Sequence, residues 1–422
     1  MVNYKVAEER ADKVRDYALS TLVKPEENVW GIYSSNSFGG SELVKIPVSL
    51  DGVFKDHNGN ILDAQKTEDG YYVQVDVEPF GAVNVKFEPA DDGVNKNSEE
   101  MSIFEVSENC LSTPFYNISW NENGQLTRIY DKEEMRQVLR VGQLGNVLEI
   151  YEDKPLNYDA WDIDNFHIQK MQTAALLKKP ELVENGNLIC VIQFTYQYHL
   201  STIVQDMIVY KDSKRIDFKT KVGWKETQKL LKTAFYTDIR STKATYDIQF
   251  GHAERPTHWN NSWDWAKFAV CGHKWADLSE NGYGVSLLNN CKYGHSIKDN
   301  VMRLSLLKSA IFPDTTADKG EHEFTYSLLP HKGNFIEGRT IEEANQLNQP
   351  AQVVNGRFKD LKKIIKIDGQ GVQIDAVKKA EDEECLVVRF HECFGGRRKI
   401  TLRSEYSVTK MVECNLLEHD IE

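Results

Sequence analysis

The stretch ICVIQFTYQYHLSTIVQDMIVYK, residues 189–211, reads as two long strands in succession. The same reading extends in both directions. YYVQVDVEP (71–79) alternates strictly, with Tyr71, Val73, Val75 and Val77 on one face. LVKIPVSL, VNVKF and SIFEVS look similar. FYNISWNENGQLTRIYD (115–131) is a hairpin with Asn123-Gly124 at its turn. RIDFKTKVGW, KLLKTAFYTDI and ATYDIQF follow the opening stretch, and YGVSLLNN, VMRLSLLKS and EFTYSLLP come later. Long antiparallel strands with one buried face favour stacked sheets. The expected fold is mainly β: a large two-sheet β-sandwich flanked by smaller β domains, with one N-terminal helix.

That helix is expected over residues 4–23, where Ala7, Ala11, Val14, Ala18 and Leu22 recur at three-to-four spacing. Pro25 closes it, because proline cannot continue the hydrogen-bond ladder. One amphipathic helix cannot bury its own stripe, and no partner helix is visible in the sequence. IEEANQLNQP (341–350) reads as a polar linker or edge crossing. Strands resume after it, including LVVRFHECFG and KITLRSEY, and KKAEDEE (378–384) reads as a solvated hairpin turn. The expected division is therefore 1–24 (helix), 25–107 (small β domain), 108–340 (large sandwich) and 341–422 (C-terminal β domain).

The formal charge of −13 argues against nucleic acid and anionic membrane surfaces as partners. No apolar run approaches the length of a transmembrane helix. MVNYKVAEERADKVRDYAL lacks the apolar core and cleavage site of a signal peptide. Seven cysteines without a C-x-x-C pair read as reduced thiols, so the expected location is cytoplasmic.

Two segments carry candidate chemistry. NYDAWDIDNF (157–166) gathers Asp159, Asp162 and Asp164 around Trp161. Carboxylates accept hydrogen bonds from sugar hydroxyls, and an indole face covers sugar C–H groups. Carboxylate pairs also perform the acid–base work of glycoside hydrolysis. The same aspartates equally suit a loop in which they cap turns. The second segment, GHAERPTHWNNSWDWAKFAVCGHKWADLS (251–279), holds four of the eight tryptophans and three of the eleven histidines. Arg255-Pro256 reads as an extended turn carrying a guanidinium. The histidine spacing fits no zinc pattern, and GGS (39–41) is no phosphate cradle.

Seven ordered motifs go further: NGQLTRIYDKEEMRQVL (123–139), GNVLEIYEDKPLNYDAWDID (145–164), QDMIVYKDSKRIDFKTKVGW (205–224), KLLKTAFYTDI (229–239), ATYDIQFGHAERPTHWNNSWDWAKF (244–268), HKWADLSENGYGVSLLNNCKYG (273–294) and HEFTYSLLPH (322–331). Together they closely resemble the C-terminal half of the glycoside hydrolase family 38 α-mannosidases of bacterial and cytosolic type. The resemblance implies a zinc-bearing α/β domain, a helical bundle and then β domains, the central one a supersandwich of the galactose-mutarotase type. Residues 4–23 resemble the last helix of that bundle. The family's nucleophilic aspartate and its zinc ligands lie upstream of this helix, so no catalytic or metal-binding residue is carried over to this chain. Zinc, or another divalent metal, is implied for the catalytic domain only.

The resemblance also implies that β-region loops help to wall the sugar pocket. Asp159, Trp161, Asp162, Arg255, His258, Trp263 and Asp264 are the candidates for facing that pocket or the catalytic domain. The implied partners are an α-mannoside or oligosaccharide and the N-terminal catalytic domain; a homo-oligomer stays open. The chain alone is expected to be inactive. The alternatives are a stand-alone carbohydrate-binding β-sandwich and, by fold analogy, a mutarotase-like enzyme.

Overall fold

The computed structural model describes residues 2–90, 102–359 and 363–421. The chain is mainly β, with sheets built from antiparallel pairs. Two compact units emerge. Residues 98–348 form one, and residues 1–97 with 349–422 form the other.

The larger unit is the sandwich. One sheet has ten strands. Its central path runs through Ile189–Tyr198, Ser201–Tyr210, Ile216–Trp224, Gly320–Lys332 and Tyr283–Asn289. The opening stretch of the sequence thus supplies two adjacent strands, paired from Ile189 with Tyr210 to Tyr198 with Ser201. His199, at the turn between them, has a positive φ of 47°.

The opposing sheet has six strands, in the order Met171–Thr173, Val147–Glu152, Lys229–Tyr236, Val301–Ser309, Gly294–Lys298, Val270–Cys271. Alternation sends Leu148, Ile150, Leu231, Phe235, Met302 and Leu304 into the shared core. There Phe235 meets Phe218 of the ten-stranded sheet with ring centroids 5.7 Å apart. A five-stranded sheet containing the hairpin Tyr116–Trp120 and Leu126–Asp131 joins the same core, with Trp120 edge-on to Phe194 at 5.7 Å. Gly124 sits at the hairpin turn with φ 72°.

A polar knot lies inside this apolar core. The Asn146 amide donates to Gln205 Oε1 at 2.6 Å, and the Gln205 amide donates to Thr220 Oγ1 at 2.9 Å and to the Tyr326 hydroxyl at 2.8 Å. Asn146 Oδ1 in turn accepts from Tyr326 at 2.6 Å and from Thr233 at 3.2 Å. Thr233 belongs to the six-stranded sheet, and Gln205, Thr220 and Tyr326 belong to the ten-stranded one. The knot therefore bonds sheet to sheet.

Residues 341–350, read from sequence as a linker, differ from that expectation. Thr340–Asn348 is an α-helix with Thr340, Ile341, Ala344 and Asn345 buried. It escaped notice because its inward stripe is partly polar. Asn345 accepts from Lys274 Nζ at 2.7 Å, and Asn348 donates to the Asn289 carbonyl at 2.9 Å.

The smaller unit is built from both ends of the chain. Val29–Tyr33 pairs with Gln352–Asn355 on one side and Ala82–Pro89 on the other. Residues 352–358, expected within a separate C-terminal segment, instead complete sheets begun near residue 23, because Val23–Lys24 and Val29–Tyr33 supply their ladder partners. A second sheet of three strands contains Gly70–Val77, whose Tyr71, Val73, Val75 and Val77 are all buried. The helix Val2–Leu22 opens this unit, with Tyr4, Val14 and Tyr17 exposed.

Replacing Gln205 by Ala leaves several buried polar groups without partners. Gln205→Ala is expected to lower the unfolding free energy by about 3 kcal/mol in urea titrations.

Candidate functional site

The alternation that fills the core also loads the opposite face of the six-stranded sheet. Glu149 stands directly across the ladder from Lys232. Arg303 stands across from Ala234 on one side and Ser296 on the other. These side chains, with Tyr151, Tyr236 and Lys298, line a cavity of about 260 Å³. Trp259, His167, Ile168 and Met171 complete its walls.

The loops covering this face come from the second candidate segment and from the residues that directly follow the first, His167 and Ile168. They touch where His167 meets Phe268, with ring centroids 5.9 Å apart. His167 also stands edge-on to Tyr151 at 5.0 Å. Its Nδ1 lies 2.7 Å from the Asp164 carbonyl. Burial pulls the His167 pKa down to about 4, so the ring is neutral near pH 7.

Glu149 is buried and fully engaged. Its Oε2 accepts from the Tyr151 hydroxyl at 2.6 Å and Arg303 Nε at 2.7 Å. Its Oε1 accepts from the Tyr236 hydroxyl at 3.1 Å and Arg303 Nη2 at 3.4 Å. Burial, followed by the Glu149 charge, raises the pKa of both tyrosines and keeps them as donors. Asp153, also buried, is ion-paired with Lys308. Burial raises the Asp153 pKa in spite of that partner.

Lys232 differs from its neighbours. It is only 1% exposed, yet it forms no hydrogen bond or close ion pair among the described residues. Its ammonium lies 5.9 Å from the Tyr151 ring centroid. Burial first, and the Arg303 charge second, pull its pKa down to about 8. Lys298 Nζ lies over the Trp259 ring, 4.1 Å from its centroid.

The seven residues singled out from sequence occupy varied settings. Asp159 accepts from the backbone N–H groups of Ile311 at 2.6 Å and Phe312 at 3.2 Å, pinning its loop to a neighbouring one. Asp162 accepts from the adjacent Ile163 N–H at 2.9 Å. Trp161 is 71% exposed and Trp263 is 78% exposed. Asp264 accepts from the Asn261 amide at 2.6 Å, while Asn261 caps the short helix Ser262–Ala266. His258 Nδ1 lies 3.7 Å from Asp264 Oδ2.

Arg255 departs from the expected turn. It lies on the strand Gly251–Pro256, which pairs with Lys243–Ile248 as a hairpin. Its guanidinium lies over Tyr246 at 4.7 Å from the ring centroid. Phe250 (φ 56°) and Gly251 (φ 152°) make the turn that lets an irregular-looking sequence pair as a strand.

The contact between the second segment and the end of the first runs through Phe268 and His167, with Trp259 on the cavity wall, and none of those seven residues lines the cavity. Sequence reading missed the sheet-face set of Glu149, Lys232 and Arg303. The available signal was a charged residue flanked by apolar ones inside each of three strands, Glu149 between Leu148 and Ile150, Lys232 after Leu231, and Arg303 between Met302 and Leu304.

A Ser-His-Asp grouping elsewhere is structural. His331 Nε2 lies 2.8 Å from Asp277 Oδ2 and 3.2 Å from Ser286 Oγ. The carboxylate and the hydroxyl therefore crowd one ring nitrogen, whereas a proton relay needs both. All three are buried, and Ser286 Oγ lies 2.7 Å from Thr340 Oγ1, locking the helix Thr340–Asn348 in place. Among the described residues no group of three or more His, Cys, Asp or Glu side chains could hold a metal ion. No helix among them is long and apolar enough to cross a membrane.

Comparison with known proteins gives a consistent picture. Residues 111–316 match the model described as the glycosyl hydrolases family 38 C-terminal domain. Residues 371–422 match the family 38 C-terminal beta sandwich domain. Alpha-mannosidase G of Dictyostelium discoideum is 35% identical over 413 residues, covering 92% of this chain and 37% of that protein. Human alpha-mannosidase 2C1 is 35% identical over 319 residues, covering 73% of this chain and 30% of that protein. The chain spans about a third of the length of the curated relatives it matches. The crystal structure of an alpha-mannosidase from Enterococcus faecalis shares the fold, with a TM-score of 0.76 at 14% identity over 99% of this chain and 57% of that one.

Lys232 yields a prediction of sign. Its folded pKa, about 8, lies below the ordinary lysine value of 10.5. Between those values the unfolded state binds the proton and the folded state does not, so stability rises with pH across that window. Below it the full penalty of a buried charge remains. Lys232→Met is expected to stabilise the protein by about 1–3 kcal/mol at pH 7. The gain over wild type should shrink toward pH 10.5, read from paired urea titrations at several pH values.

Proposed function

The chain belongs to glycoside hydrolase family 38, and we propose that it serves as the non-catalytic C-terminal region of a retaining α-mannosidase. In this reading it provides scaffold, interdomain surface and rim of the sugar pocket. The observation that carries it is the pair of family 38 C-terminal matches over residues 111–316 and 371–422. The alpha-mannosidase relatives extend that likeness to 92% of the chain. The stand-alone binding module is disfavoured, because each of these relatives is a far longer mannosidase.

The activity belongs to the whole protein. Hydrolysis would pass through a glycosyl-enzyme intermediate on an aspartate of the catalytic domain. Zinc or another divalent ion would be held by that domain and would assist at the scissile sugar. This chain's share is mechanical. The helix Val2–Leu22, with Tyr4, Val14 and Tyr17 exposed, would pack into a helical bundle. Asp159, Trp161, Asp162, Arg255, His258, Trp263 and Asp264 would face the catalytic domain or its pocket. The exposure of Trp161 and Trp263 supports this, since large bare indoles are suited to an interface or a sugar. The substrate class would be α-mannosides or oligosaccharides, and the compartment the cytoplasm.

An aryl α-mannoside assay with added zinc tests the division of labour. The 422-residue chain alone is expected to be silent, and activity is expected when a separately expressed catalytic half is added. Turnover by the chain alone, abolished by a chelator, would overturn the reading. In the mixed enzyme, Trp161→Ala and Trp263→Ala are expected to lower kcat/KM by about tenfold, or to weaken association of the halves equally. If both variants matched wild type in activity and in association, the rim assignment would fail.

A further inference from the structure

We propose that the cavity on the outer face of the six-stranded sheet binds a monosaccharide carrying an anionic group, with the anion at Lys232 and Lys298 and the sugar ring against Trp259. The inference does not depend on the mannosidase reading.

Charge placement carries the first half. Glu149 takes four donors, two of them from Arg303, and those two charges satisfy each other. Asp153 is held by Lys308. Lys232 is left buried, lining the cavity with no hydrogen bond or close ion pair among the described residues. A largely buried ammonium that Glu149 and Asp153 offset only through space, with no hydrogen bond of its own, is costly, and a ligand anion would supply the direct partner. Lys298 adds a second ammonium in the same cavity, bonded to no carboxylate among the described residues. A ligand bringing negative charge would offset both.

Size and surface chemistry carry the second half. About 260 Å³ exceeds what a bare tetrahedral anion fills. The remaining wall offers the Trp259 indole and, as hydrogen-bond acceptors, the hydroxyl oxygens of Ser296, Tyr151 and Tyr236, whose protons go to the Phe268 carbonyl and to Glu149. An aromatic face beside hydroxyl groups is the surface that a sugar ring uses, with C–H groups on the indole and hydroxyls on the polar edge. The anionic group has two chemical sources, a phosphate ester or a uronic carboxylate.

Titration calorimetry of the 422-residue chain at pH 7 separates these sources. The probes are glucose 6-phosphate, glucuronate, inorganic phosphate and neutral glucose. We expect saturable binding of glucose 6-phosphate, glucuronate or both below roughly 10 mM, with glucose silent. Which of the two binds identifies the source. Lys232→Met should weaken that binding by about tenfold or more, and Trp259→Ala should weaken the sugar anion but not inorganic phosphate. Lys298→Met, on the exposed side of the cavity, provides a second test if the Lys232 variant fails to fold, and a loss of about threefold or more is expected. The proposal is overturned if neither sugar anion binds, if glucose binds as well as they do, or if the folded lysine variants bind as wild type does. Equal binding of inorganic phosphate and glucose 6-phosphate would overturn the sugar part.

Discussion

Asn146, Gln205, Thr220, Thr233 and Tyr326 form a closed hydrogen-bonded knot between two sheets that otherwise meet through apolar side chains. Apolar contact is tolerant of small slips, whereas a hydrogen bond inside a low-dielectric core is not. A slip of one residue in Lys229–Tyr236 would turn Thr233 away from Asn146 and leave buried polar atoms unpaired. The knot therefore fixes which residues of the six-stranded sheet face inward. That choice determines everything on the other face.

With Thr233 and Phe235 committed to the core, Lys232 and Tyr236 must point outward, and the ladder sets Glu149 opposite Lys232. The cavity is thus a consequence of register rather than of loop design. The loops add a cover. His167 serves the cover as a neutral aromatic, because burial holds it uncharged. It can press against Tyr151 and Phe268 without adding a further positive charge to those of Lys232, Lys298 and Arg303.

Strand content was legible in the sequence because period-two alternation has one simple cause, a buried face, and Tyr71, Val73, Val75 and Val77 obey it. The hairpin at Asn123-Gly124 was legible because its turn needs a positive φ that glycine supplies freely. The helix Thr340–Asn348 was hidden, since Asn345 and Asn348 meet its neighbours by hydrogen bonds and no apolar stripe forms. The candidate site was only partly legible. Trp161 and Asp159 look alike as sugar-contacting types, yet the structure exposes one and ties the other to the backbone of residues 311 and 312. Residue type gives the chemistry available, and only the tertiary fold decides what consumes it.

The tryptophan-rich stretch illustrates that point within twenty-nine residues. Trp275 is buried and stacks on Phe335 at 5.1 Å, with His252 edge-on to the same ring at 4.8 Å. Trp259 borders the sheet-face cavity beneath Lys298. Trp263 stands largely in solvent on a helix of five residues that begins at the Asn261 cap. A longer helix would have wound these indoles around one axis. The short capped turn instead ends after Ala266, so chemically identical side chains separate into core, cavity wall and outer surface. The outer indoles are left largely in solvent by this chain, while the ammonium groups of Lys232 and Lys298 face aromatic rings and form no direct ion pair among the described residues. Both are unmet interactions of opposite character, one apolar and one ionic. The apolar ones lie on the outer surface, and the ionic ones line the cavity, so the two are met by different kinds of surface.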